Sequence, residues 1–133
     1  MMDDKIRQFF TSDGYAVIGA STNRAKYGNK VLRCYLQQHK KVIPVHPKET
    51  AIEGVSCVQT INDLPDAVHS ISIVTPPAIT EKVVEQAIAK GIKNIWMQPG
   101  AESERAINDC AKHHINVIAK GPCILAVTGY KDR

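Results

Sequence analysis

Five short apolar runs punctuate this chain, and the segments between them carry apolar residues at helical spacing. The runs are Ala16–Ile18, Lys41–Val45, Ser70–Val74, Asn94–Met97 and Asn116–Ala119. Runs of this length suit strands buried on both faces. Between them, Val31, Leu32, Tyr35 and Leu36 form one stripe. Ile79, Val83, Val84, Ala87 and Ile88 form a second, and Ala106, Ile107, Cys110 and Ala111 a third. Each stripe predicts a helix with one face turned inward. Strand and helix alternating in this way predict a parallel sheet covered on both sides, joined by right-handed crossovers that bring every strand's C-terminal end to one edge. The expected fold is an α/β, Rossmann-like three-layer arrangement with five or six mostly parallel strands. With 133 residues it is read as a single domain over residues 1–133.

Smaller features fill in the frame. Asp3–Thr11 predicts a short helix, acidic in its first turn, which Gly14 ends. Pro44 is awkward within a central strand and is expected late in the second strand or at an irregularity. Residues 49–59 read as irregular. Thr60 is expected to cap a helical turn over 60–65, Gly91 to stop the second long helix, and Ser103 or a neighbour to cap the next. Ile124–Val127 is expected to add an edge strand.

In open parallel sheets, ligands settle where strands end and their order reverses. The residues after the first strand, Gly19-Ala20-Ser21-Thr22, are small and polar, and Arg24 and Lys26 follow before the helix. Small residues let a ligand approach the backbone, and unpaired N–H groups at a helix start attract anions. His46-Pro47-Lys48, Thr75-Pro76-Pro77 and Gln98-Pro99-Gly100 follow the next three runs, so the sheet rule gathers all four segments at one rim. Only the first glycine of a G-x-G-x-x-G fingerprint is present. The position after the second strand, where an NAD enzyme carries an acid for the ribose, holds His46-Pro47-Lys48 instead. A cation there favours a ligand phosphorylated on its ribose. NADP and coenzyme A both qualify on these grounds, so an NADP-dependent oxidoreductase domain stays open.

Other patterns point to less. The formal net charge of +4 falls short of a nucleic-acid binder's basic stripe but suits a small anion. No run reaches the ~20 apolar residues needed to cross a bilayer, and the first residues do not resemble a secretory leader. No nucleic-acid or membrane partner is expected, and the cytoplasm is the expected compartment. Cys34, Cys57, Cys110 and Cys123 are scattered without metal-ligand spacing, so no metal site is expected. Cys34 and Cys110 read as buried thiols. Cys123 follows Gly121-Pro122 near the predicted rim; an ordinary buried cysteine is the preferred reading over a thiol forming a mixed disulfide with a coenzyme. Adjacent His113 and His114 cannot chelate together and suit a helix C-terminus. His46 is a candidate to touch an adenine. No catalytic triad or carboxylate pair stands out.

Five ordered motifs sharpen the choice of ligand: V-I-G-A-S at 17–21, A-K-Y-G-N at 25–29, P-V-H-P-K at 44–48, V-T-P-P at 74–77 and W-M-Q-P-G-A-E-S at 96–103. Together they closely resemble the CoA-binding domain family, in particular its small stand-alone members. They are also similar to the first domain of the succinyl-CoA synthetase α subunit and of ADP-forming acyl-CoA synthetases. The resemblance covers about residues 15–125. It implies that Gly19, Ala20, Ser21 and Thr22 hold the diphosphate of coenzyme A, with charge from Arg24 or Lys26. It implies that Lys48 meets the 3′-phosphate, that Thr75, Pro76 and Pro77 line the pantetheine path, and that Gln98, Pro99 and Gly100 face the ligand. In the synthetase α subunit this last loop reads Thr-Glu-Gly. The synthetases also use a phosphorylated histidine on a second domain and a nucleotide-binding partner. The expectation is therefore a non-catalytic module that binds coenzyme A or an acyl-CoA, or a subunit presenting the coenzyme to a partner enzyme chain.

Overall fold

A computed structural model describes residues 2–133. The chain runs α1 (Met2–Phe9), β1 (Gly14–Ile18), α2 (Tyr27–Gln37), β2 (Val42–Val45), β3 (Ala51–Ile52), β4 (Val55–Ser56), a 3₁₀ turn (Ile61–Asp63) and β5 (Val68–Ile73). It continues as α3 (Pro77–Lys90), β6 (Asn94–Met97), α4 (Glu104–Lys112), β7 (Asn116–Ile118) and α5 (Ile124–Thr128). The main sheet has five strands in the order β2-β1-β5-β6-β7, and every neighbouring pair is parallel. This is the Rossmann-like α/β fold that the alternation predicts.

The strands of the main sheet are largely apolar because each face meets helices. In β1, Ala16 and Ile18 join the layer formed by α3, α4 and the 3₁₀ turn, while Tyr15 and Val17 face α1, α2 and α5. The same period of two sends Ile95 and Met97 of β6 one way and Trp96 the other. The polar alternates of β5 are also buried, and each is bonded. Ser70 donates to the Phe9 carbonyl at 2.8 Å, and Ser72 shares a 2.6 Å hydrogen bond with the Tyr35 hydroxyl. Burial without such partners would cost about 1–3 kcal/mol per group.

Ends and edges follow local chemistry. Gly91 closes α3 in the left-handed region (φ 88°). The Ser103 side chain accepts from the Ala106 N–H and caps α4. Thr60 and Asp63 form a capping box around the 3₁₀ turn. Pro44 lies in edge strand β2, and its carbonyl accepts from Val58 N–H on the side away from β1. A strand residue's N and O point the same way, so the missing N–H costs no bond to β1.

Several expectations need correction. Ile124–Thr128 is helix α5, not an edge strand. Ile124 and Thr128 share one helical face against α2, where the Cys34 thiol and the Thr128 hydroxyl lie 2.8 Å apart. That contact, with Gly129 as a left-handed terminator, outweighs the β preference of an Ile-Leu-Ala-Val run. Residues 49–59 contain an ordered antiparallel hairpin, β3–β4, whose two-residue turn has Glu53 at φ 51° and Gly54 at φ 77°. Two positive φ values mark a type I′ turn. Gly14 begins β1, and α1 has already stopped at Phe9.

Candidate functional site

The crossover through α2 places β2 on one side of β1, and the chain then returns to place β5 on the other. The order therefore reverses between β1 and β5, and the loops leaving these strands part around a crevice. Gly19 sits at that point. Its φ is +94°, and a Cβ there would lie 2.1 Å from the Val74 carbonyl oxygen, so no side chain fits. Gly28, in the first turn of α2, is equally constrained: a Cβ would come within 2.0 Å of the Gly19 oxygen. The two glycines let the helix start press against the strand turn, a close approach that the last glycine of a dinucleotide fingerprint provides elsewhere. Sequence reasoning missed Gly28, because the spacing from Gly19 is longer than in that fingerprint.

A cleft of about 410 Å³ opens at the crevice, walled by Gly19, Ala20, His46, Pro47, Thr60, Ile61, Thr75, Ile79 and Gln86. Beside it lies a hollow of about 330 Å³ formed by Val74, Thr75, Pro76, Pro99, Gly100 and Ala101. Thr75 belongs to both. The structure thus brings together Gly19, Ala20, Thr75, Pro76, Pro99 and Gly100 at one edge, as the strand-end rule requires. Pro77 opens α3 there, with Pro76 as its cap. Ile79 and Gln86 of α3 are wall residues that sequence patterning assigned only to a helix. A hollow of about 390 Å³ at the opposite sheet edge, near Gln8, Lys93, His113 and His114, gathers no loop that follows a strand.

The remaining predicted residues take different positions. Ser21 is half-buried, and Thr22, Arg24 and Lys26 are exposed on the loop before α2. Lys26 is the helix N-cap and supplies no side-chain bond. The Arg24 guanidinium is held within the chain, donating to the Arg133 carbonyl at 2.9 Å and lying 3.5 Å from Glu53. Lys48 is exposed just beyond the cleft wall. Its position is set by His46, whose Nδ1 accepts from the N–H groups of Lys48 (3.0 Å) and Glu49 (2.9 Å). That imidazole therefore organises the turn as well as walling the cleft.

Gln98 is fully buried and points toward the α2–α5 layer. Its Oε1 accepts from Tyr27 Oη at 3.2 Å and from Ile124 N–H at 2.9 Å, while Nε2 finds no acceptor among the described residues. The Ile124 bond fixes which end of the amide is oxygen. Burial, then a hydrogen bond with Cys123, pushes the Tyr27 phenol well above its usual range, so it remains a donor at any ordinary pH. Cys123 is half-buried; Cys34 and Cys110 are fully buried, as their helical positions predict. Burial pushes the Cys110 thiol up to about 11. Among the described residues, no group of three or more His, Cys, Asp or Glu side chains is placed to hold a metal ion. No described helix is long and apolar enough to cross a membrane.

Comparison with known proteins agrees with this geometry. The model of the CoA binding domain family matches residues 13–128. An ADP-forming acetate–CoA ligase of Methanocaldococcus jannaschii is 29% identical over 119 residues, covering 84% of this chain and 17% of the ligase. Among solved structures, a conserved hypothetical protein from Pyrococcus furiosus is 38% identical with a TM-score of 0.81, covering 86% of this chain and 97% of that one. The dinucleotide-forming acetyl-coenzyme A synthetase 1 of Ca. Korarchaeum cryptofilum, in complex with phosphate and ADP, aligns with a TM-score of 0.76 and 25% identity. It covers 90% of this chain and 27% of the synthetase. The chain spans less than a fifth of the length of the curated ligases it matches. With the family model matching nearly end to end over a sheet whose order reverses at a glycine-built crevice, this chain belongs to the CoA binding domain family.

Proposed function

We propose that this chain binds coenzyme A, free or acylated, along the C-terminal edge of its sheet and does not by itself catalyse acyl transfer. The observation that carries the reading is the cleft at the strand-order reversal, whose floor is glycine backbone and whose rim holds His46, Pro47 and Thr75. The nucleotide end of the ligand occupies that cleft. The diphosphate lies over the 19–22 loop, with Lys48 beyond the wall near the 3′-phosphate. The pantetheine arm runs past Thr75 and Pro76 into the neighbouring hollow toward Pro99 and Gly100.

A second reading is that the chain presents the coenzyme to a partner of the ligase type. It is favoured by the relatives, since the acetate–CoA ligases carry this domain as a small part of a longer whole. Ligation would then need groups outside these 133 residues.

Calorimetric titration with CoA, dephospho-CoA, NADP and NAD tests the proposal. The expected order places CoA first, with dephospho-CoA weakened by loss of the 3′-phosphate. Tighter binding of NADP than of CoA would reject both readings in favour of a redox domain. Co-purification with an ATP-grasp chain would favour the second reading over a free-standing module.

A further inference from the structure

The loop Ser21–Lys26, which continues from the cleft residues Gly19 and Ala20 to the start of α2, is held by two buried polar side chains of that helix. Asn29 is fully buried with every hydrogen-bonding group used. Its Nδ2 donates to the Ser21 carbonyl at 2.8 Å and to Glu53 Oε2 at 3.2 Å, and its Oδ1 accepts from Arg33 Nε at 2.7 Å. Arg33, one turn on and almost as buried, donates through Nη2 to the Arg24 carbonyl at 2.8 Å. Through Nη1 it reaches Asp132 Oδ1 and the Arg133 carbonyl, both at 3.1 Å. Burying a guanidinium is unfavourable unless its donors are met, and here carbonyls at both ends of the loop's functional segment are pinned inward.

A trans peptide directs its C=O and the following N–H to opposite sides. Pinning the Ser21 carbonyl to Asn29 therefore turns the Thr22 N–H away from the helix. That N–H has no acceptor among the described residues. Glu53 contributes by position: its carboxylate takes the second Asn29 hydrogen and the Arg24 guanidinium, so its charge is spent on the inner side of the loop.

We infer that Asn29 and Arg33 are positioning residues that set the Ser21–Thr22 peptide so that the Thr22 N–H is presented to an anionic group of the ligand, a diphosphate. This rests on the coenzyme-binding reading and adds to it which side chains build the anion grip. Both residues lie behind the loop and do not touch the ligand themselves.

The test uses ADP and adenosine as probes on the full chain, followed by backbone amide NMR. Asn29→Asp keeps the shape and the partner for Arg33 but sets a carboxylate against the Ser21 carbonyl and Glu53. Arg33→Lys keeps the charge but loses the fork that reaches Asn29 and Arg24 together. In the unaltered protein, ADP is expected to move the Thr22 amide proton downfield. In either variant the ratio of ADP to adenosine affinity is expected to fall about tenfold and the Thr22 shift to be lost, with the core amide spectrum unchanged. If Asn29→Asp does not fold, Arg33→Lys decides. Unchanged ratios in folded variants that still bind CoA would overturn the positioning role and leave the coenzyme reading intact. Failure of the unaltered protein to bind CoA or ADP would overturn both.

Discussion

On the proposed coenzyme-binding function, three residues shape the ligand's approach to the crevice, each by a different physical means. Gly28 acts by having no side chain: Gly28→Ala would place a methyl group 2.0 Å from the Gly19 oxygen, and the helix start would have to move away. The expected cost is about 1–3 kcal/mol in stability, the range for overpacking, with loss of CoA binding; chemical denaturation and calorimetry check the two parts. His46 acts by hydrogen bonding, accepting two N–H groups and fixing the turn that carries Lys48. Lys48 acts by charge. Lys48→Ala is expected to weaken CoA by about 1.5–3 kcal/mol, the value of a hydrogen bond to a charged group, and to leave dephospho-CoA unaffected. Equal loss for both ligands would take Lys48 away from the 3′-phosphate.

At the level of elements, α4 and its cap show how a helix end is held. The Ser103 hydroxyl caps α4 and donates to Glu81 of α3 at 2.5 Å, joining the two helices of one layer. Ser103→Ala is expected to cost about 1–2 kcal/mol, to be read from the denaturation midpoint. The same layer contains Cys110, where burial, and then the charge of Asp109, raise the thiol pKa from an ordinary 9.0 to about 11. A raised pKa means that the native state keeps a proton the unfolded chain gives up. The stabilisation is complete below pH 9 and is lost as pH rises toward 11. Melting temperatures measured from pH 8 upward should fall across this window, and Cys110→Ala should flatten the decline. On the other face, α5 covers α2 through Ile124 and Thr128, and its approach also delivers the Ile124 N–H that orients Gln98.

For the molecule as a whole, ligand and fold are linked by mass action. A ligand that binds only the native state adds RT ln(1 + [L]/Kd), about 2.7 kcal/mol at a hundredfold excess over Kd. CoA at such a concentration should raise the melting temperature measurably, and NADP at the same concentration should raise it less. An equal rise would remove the distinction drawn from His46-Pro47-Lys48. The five-stranded sheet makes the linkage possible, because the loops after β1, β2, β5 and β6 come from residues 19 to 101 and meet only when the sheet is complete.

The sequence alone determined the sheet and the four loops at its rim. Apolar runs at residues 16–18, 41–45, 70–74 and 94–97 are local signals, and the strand-end rule converts them into a shared edge without any knowledge of contacts. Asn94–Met97 is recovered residue for residue, and Gly91 and Ser103 end and begin helices as their chemistry dictates. Tertiary structure decided what depends on neighbours distant in the chain. An Ile-Leu-Ala-Val run reads as strand until α2 offers it a face to bury. Asn29 and Arg33 gain their partners only when the 21–24 loop and the last residues fold over them. The constraint on Gly28 exists only because the Gly19 oxygen stands where its side chain would be. Periodicity records which residues face a core, but hydrogen-bond direction and close approach exist only between partners, and those partners are brought together by the fold.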